Sequence, residues 1–436
     1  MAPIASKSYA SNGFSIKPRG SIVCNAEVTA SHCRRASLAL HLARSVLARA
    51  RRGQGFSKGL SMRKWLLSLV AAVSVATPAL SQDIVIGLSS PMTGPAATAA
   101  EWEKWGVDLA VEEINAAGGV LGRKLAVMQL DNKCNPSEGV NVANKLVEAK
   151  VVAIVGSHCS SAHLAAMPII KDAKIPMITG VASNPQITTL SGVGGNEWAF
   201  RINPSDTDMM EALGAYLGAK KPFKTVAIVA EDTDFGRGGA EAFKQVADKA
   251  GVTIISTDFV PQNAPDYTSI LTRLQQKRPD AIATFQLAND AVNFLRNAMQ
   301  LGVHIPYTGR AELGGRNLEI IKAGGMEGSI SAWTYNHEID SPENKAFVEK
   351  IRARHNSEPL LQTWAGYDSV RIIAQAIKDA GSTDPEKVRA AMKALKFTNV
   401  MGKQVSFDDH NQAGKFVVLQ TVKDRKVTVA DIVEVR

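Results

Sequence analysis

No stretch of this chain is long and apolar enough to cross a bilayer, which takes about 20 such residues; the run from Trp65 to Ala76 falls short. Cysteine is scarce, four residues in 436, and no C-x-x-C pair recurs. His158 and His163 do not make H-E-x-x-H, so the spacings of zinc sites are missing. The G-x-S-x-G elbow of serine hydrolases is absent. In GRGGAE (236–241), Glu241 stands where a dinucleotide-binding loop needs its third glycine, and SGVGGN (191–196) reads as an ordinary loop. These absences argue against a membrane-spanning protein, a zinc protein and the common nucleophilic and dinucleotide enzymes. The expectation is no catalytic residue, no metal and no cofactor.

What is present begins at Met62, in MRKWLLSLVAAVSVATPALSQD: two cations, an apolar stretch, then small residues at Ala79 and Ser81. This is the layout of a secretory signal peptide over 62–81. Residues 1–61 carry ten Lys or Arg against the single acid Glu27, and the reading preferred for them is upstream sequence translated from a misassigned start. With residues 1–81 set aside, 38 Lys and Arg face 40 Asp and Glu. The basic balance of the full chain then belongs to its leader and gives no support for a nucleic-acid partner. Residues beyond Ser81 suffice for two domains, and of the cysteines only Cys134 and Cys159 lie among them. In an exported protein, two cysteines commonly pair.

From Asp83 the pattern alternates strand and helix. IVIGLSS (84–90), KLAVMQLDN (124–132), VVAIVGS (151–157) and IPMITG are β-rich, and AEWEKWGVDLAVEEINAA, PSEGVNVANKLVEAK and SAHLAAMPIIKDA are helical. Continuous apolar strands indicate a parallel sheet covered on both faces. A second series follows FRINPSDTD: TVAIVAE, TIISTDFV, PDAIATF and IPYTGR alternate with helices expected from Gly238, Tyr267, Asn289 and Arg316. The tail predicts helices from Pro342, Thr363 and Pro385, then three strands, KQVSFDD, KFVVLQTV and KVTVADIVEV. The fold expected is α/β, two doubly wound Rossmann-like lobes joined by a three-segment hinge. The lobes are expected at 82–203 plus 334–412 and at 204–333 plus 413–436.

The stretch VGSHCSS places His158, Cys159 and Ser160 where a strand gives way to a helix. As a nucleophile Cys159 lacks a base, because adjacent residues on a strand point to opposite faces. Ser160 can face an anion at the positive helix end or serve as a plain N-cap. The arrangement recurs at VASNP, where the carbonyl of Ala182 and the side chain of Ser183 sit at another strand-to-helix turn. Both turns lie at carboxyl ends of parallel strands, where open α/β sheets bind ligands.

These residues, with SSPMTGPAA, INAAGGVLGRKL, FRINPSDTD, EDTDFGRGG and FDDHNQAGK, resemble the type I periplasmic binding proteins of the leucine/isoleucine/valine class. The similarity spans nearly all of 83–436. It implies a Venus-flytrap protein of the periplasm that closes on a small solute and delivers it to the membrane permease of an ABC importer. It also implies a Cys134–Cys159 disulfide, Ser160 and Ser183 on the ligand's α-carboxylate, and Ala182 and Ser183 facing its ammonium. His158 is implied as pocket lining, Asp206 and Phe235 as an acid and an aromatic bordering the ligand, and Glu312 as the acid that holds the ammonium. Serine at 183, phenylalanine at 235 and an extra residue after Gly309 depart from the threonine, tyrosine and spacing often found in the family. The ligand expected is a small carboxylate, foremost a branched-chain or related amino acid, bound by a monomer. The alternatives are a carrier for an aromatic acid or amide, a sensory module, and an exported α/β enzyme, for which no set of nucleophile, base and orienter can be assembled.

Overall fold

The structure, a computed structural model, describes residues 14–16, 22–24 and 82–435. The signal sequence expected at 62–81 lies outside the described residues. The chain divides into two units, Met1–Leu80 and Ser81–Arg436. In the first, β1 (Phe14–Ile16) and β2 (Ile22–Cys24) pair antiparallel.

The second unit opens with five parallel strands: β3 (Ile84–Ser90), β4 (Leu125–Asp131), β5 (Ile154–Gly156), β6 (Met177–Thr179) and β7 (Ala199–Arg201), in the order β4-β3-β5-β6-β7. The intervening helices are α1 (Ala97–Ala116), α2 (Pro136–Glu148), α3 (Ser160–Ala173) and α4 (Pro185–Leu190). Helix α1 ends at a pair of glycines: Gly118 takes φ +101°, and the Gly119 N–H bonds back to the Ile114 carbonyl at 2.9 Å. That bond closes a Schellman turn. Helices α2 and α3 cover one face of the sheet through Val142, Leu146 and Ile170.

The other face is covered by α1 and by a helix that arrives much later in sequence, Leu361–Ala380, whose Val370, Ile373 and Ile377 join Ile84, Ile86 and Leu88 in one core. The two helices cross at glycines. A Cβ on Gly106 would lie 1.9 Å from the Thr363 carbonyl oxygen, and one on Gly366 2.4 Å from that of Glu103. Only a missing side chain lets the backbones approach so closely.

The second lobe holds β8 (Thr225–Glu231), β9 (Thr253–Val260), β10 (Ala281–Phe285) and β11 (Tyr307–Gly309), parallel in the order β11-β10-β8-β9. Its helices are α5 (Asp206–Lys220), α6 (Asp234–Ala247), α7 (Thr268–Lys277), α8 (Ala288–Gln300) and the short α9 (Leu318–Lys322). Helix α6 starts four residues before the expected Gly238, because Thr233 accepts the Gly236 N–H at 3.2 Å and so caps it.

The chain then runs through β12 (Ile330–Trp333), returns to the first lobe for α10 (Pro342–His355), α11 (Leu361–Ala380) and α12 (Pro385–Ala394), and comes back to form β15 (Phe416–Lys423) and β16 (Lys426–Glu434). Strands β12, β15 and β16 make an antiparallel sheet.

The third strand expected in the tail is not part of it. In KQVSFDD only Gln404–Val405, strand β14, pairs, with β13 (Phe397–Thr398). Val405 and Phe407 are buried by packing on the first-lobe core. Asp408 then turns the chain by accepting the N–H groups of His410 (3.0 Å) and Gln412 (2.9 Å).

Three crossings between lobes lie side by side. The Gln412 side chain donates to the Asn203 carbonyl at 2.5 Å, and that of Gln420 donates to the Tyr335 carbonyl at 3.0 Å. Buried Arg201 donates to Gln412 Oε1 at 2.6 Å and to the Asn184 carbonyl at 3.0 Å, tying the hinge to the turn after β6. Among the described residues no helix is long and apolar enough to cross a membrane.

Candidate functional site

Between the lobes lies a cavity walled by the carboxyl ends of both parallel sheets and by residues of the hinge and α11. From the first lobe, His158, Ser160, Ala182 and Ser183 line it; from the second, Phe235, Arg310 and Glu312 do.

Cys159 precedes α3 and is bonded to Cys134. Neither sulfur is then a free nucleophile or metal ligand; the bond ties the start of α3 to the loop after β4. Among the described residues no group of three or more His, Cys, Asp or Glu is placed to hold a metal ion.

Ser160 is the first residue of α3, and its hydroxyl accepts the Asn184 N–H at 3.2 Å. The two polar turns on this wall are thereby linked. The Ala182 carbonyl accepts from Asn203 Nδ2 at 3.3 Å, and its N–H donates to Thr179 Oγ1 at 3.1 Å. His158 is buried with Nδ1 unpartnered, 3.7 Å from the Glu103 carboxylate, which in turn accepts the Ser90 hydroxyl at 2.5 Å.

Asp206 is not among the residues that line the cavity. It is fully buried behind Ser183, whose hydroxyl donates to it at 3.0 Å, and it is ion-paired with Arg310 at 2.7 Å. Burial raises its carboxyl above the ordinary value against the pull of the Arg310 charge. The same burial lowers the Arg310 guanidinium. As a pair they are close to neutral, so Asp206 is not a free anion for a ligand's ammonium.

Arg310 is the main feature not singled out in the sequence. It also donates to Ser183 Oγ at 3.2 Å and lies 4.6 Å over the Trp333 ring and 5.9 Å from that of Phe235, and its Nε has no partner. The rule that found Ser160 and Ser183 points to it as well, since it directly follows β11. Trp333, from the hinge, and Gln362, from α11, reach the cavity only through tertiary folding and carry no local signal.

Glu312 also lines the cavity. It is 9% exposed, and burial alone pushes its carboxyl up to about 7, with no hydrogen bond or cation to oppose it. Together with Trp333 and Leu361 it also borders a second pocket, lined in part by Leu313, Leu318, Pro359 and Leu360. The cavity thus brings together serine hydroxyls, a guanidinium and a buried carboxyl without a partner, and it adjoins apolar surface.

The sequence profile of a periplasmic binding protein family matches residues 83–426. The leucine-, isoleucine-, valine-, threonine- and alanine-binding protein of Pseudomonas aeruginosa is 28% identical over 82% of this chain and 95% of its own length. An amino acid binding protein of the same organism is 30% identical over 78% and 91%. Among solved structures, the branched-chain amino acid transporter substrate-binding protein LivJ of Streptococcus pneumoniae, in complex with isoleucine, superposes with a TM-score of 0.71 at 27% identity, covering 81% of this chain and 99% of that one.

Proposed function

The chain belongs to the periplasmic binding protein family, whose members are solute carriers and not enzymes, and on that premise we propose that it captures a small α-amino acid with an apolar side chain between its lobes. The lobes are taken as 82–203 plus 334–412 and 204–333 plus 413–436. One observation carries the reading: Glu312 is a buried carboxyl on the cavity wall without a partner of its own. A buried carboxylate is costly unless a cation meets it, and a ligand ammonium supplies that cation.

At the other end the Ser160 hydroxyl and the start of α3 receive the α-carboxylate, with Ser183 and its partner Arg310 beside them. His158, Ala182 and Phe235 shape the walls, and Asp206 acts through Arg310. The names of the relatives favour the same class of solute. The protein is exported through the 62–81 signal peptide, works in the periplasm as a monomer, and hands its solute to the permease of an ABC importer.

Calorimetric titration of the purified protein with leucine, isoleucine, valine and benzoate tests this. One-to-one binding of at least one of the amino acids is the expected result. Benzoate binding with none from the amino acids would replace the reading by a carrier for aromatic acids.

A further inference from the structure

The lobes meet on two rims of the cavity through contacts that involve no solute. On one rim Asp234, at the start of α6, meets the first lobe: its N–H donates to Ser161 Oγ at 3.2 Å and its carbonyl accepts from Asn184 Nδ2 at 2.5 Å. Those partners adjoin Ser160 and Ser183, so their effect on closure is mixed with their effect on the site. The other rim is separable. Asn289, in the first turn of α8, reaches the loop before α1 and the first turn of that helix through three hydrogen bonds: its N–H to the Pro95 carbonyl (3.3 Å), Nδ2 to the Gly94 carbonyl (3.2 Å), and Oδ1 from the Thr98 hydroxyl (3.2 Å). The N–H is one of the donors that every helix start leaves without an intrahelical partner; here the opposite lobe supplies the acceptor. Beside it, Ala288 packs on Ala99 and Trp102 in a small apolar cluster spanning the cleft. Leu287 and Ala288 line the cavity, and Asn289 does not.

From this geometry we infer that Asn289 is a closure latch: a positioning residue that holds the lobes shut over any solute and sets how long the solute stays, without choosing which solute enters. The inference rests on the reading of the cleft as a solute site. Opening transfers the three groups to water, so each bond favours the closed state by an ordinary, modest increment. Affinity scales with the fraction of protein able to close.

The test is Asn289→Ala and Thr98→Val, alone and together. Asn289→Ala removes two of the three bonds and is expected to weaken every solute that binds by the same factor, about 10-fold. The loss should lie in the dissociation rate, with association unchanged. Thr98→Val should weaken binding less, and have little further effect once Asn289 is alanine, because its partner is already gone. Unchanged affinity in Asn289→Ala, a loss that differs between solutes, or strict additivity with Thr98→Val would each overturn the latch.

A pair of spin labels, one on each lobe, reads closure without depending on any solute. Asn289→Ala should shift the distance distribution toward the open form. Identical distributions in both proteins would refute the latch even if no amino acid bound at all, an outcome that by itself bears only on the proposed function.

Discussion

Lowering the pH should release an amino acid from this protein, and Glu312 is the reason. In the empty cleft its carboxyl titrates at about 7, raised by burial with nothing to oppose it. Below 7 it is protonated and neutral; an ammonium ligand needs it ionised and must first displace the proton. Apparent affinity therefore falls as pH falls through 7, approaching tenfold per unit below it. Between pH 7.5 and 5.5 the loss is about 20-fold, or about 2 kcal/mol, in a window that avoids the titration of the ligand's own carboxyl and ammonium. Binding at pH 6 should release close to one proton, read by calorimetry in two buffers of different ionisation heat. Glu312→Gln abolishes the proton release and the slope. It also costs one charge-assisted hydrogen bond, about 1.5 to 3 kcal/mol, or roughly 10- to 100-fold in affinity at pH 7.5. An affinity that is flat with pH, or equal in wild type and Glu312→Gln, refutes the reasoning. An affinity that rises toward acid identifies a carboxylic acid without an amine.

Replacing both Cys134 and Cys159 by serine should lower stability by about 2 to 4 kcal/mol, from the released loop closed across a separation of 25 residues, while changing solute affinity little; chemical denaturation and calorimetry on the same preparation check both. Glu231 is fully buried beside Asp290, accepts the Leu287 N–H at 2.5 Å, and is pushed by burial up to about 8. The folded protein thus holds a proton that the unfolded chain loses near 4.5, so this group's contribution to stability falls as pH rises from 4.5 to 8. Glu231→Gln can keep the Leu287 bond and donate to Asp290, so its melting temperature should decline less than wild type between pH 5 and 8; parallel declines would contradict the assignment. N-terminal sequencing of exported protein should find Gln82 first, and a chain starting near Met1 would overturn the processing reading.

The legible parts of this molecule are those governed by local chemistry. Strand ends, caps and the Gly118–Gly119 turn follow from residue type, and parallel strands place Ser160 and Ser183 at the carboxyl edge of one sheet and Phe235 at that of the other, where open α/β sheets bind ligands. The Arg310–Asp206 pair joins residues 104 apart in sequence, and no periodicity signals such a partner. Asp206 reads as a free acid until Arg310 is found against it. Trp333 enters through the hinge, where neighbours are set by how three crossings pack. The misread strand KQVSFDD has the same origin: Val405 and Phe407 alternate as a strand does, but a side chain buried in a loop satisfies that pattern equally well.

The central claim is that one small molecule is gripped at both charged ends, and one calorimetric series measures it directly: leucine, its analogue without the amine and its analogue without the carboxylate, titrated at pH 7.5 into the wild-type protein. The account predicts that leucine binds and that each truncated analogue is weaker by at least about 10-fold, having lost a charge-assisted contact. Leucine and its amine-free analogue binding alike would contradict it, because Glu312 would then hold nothing.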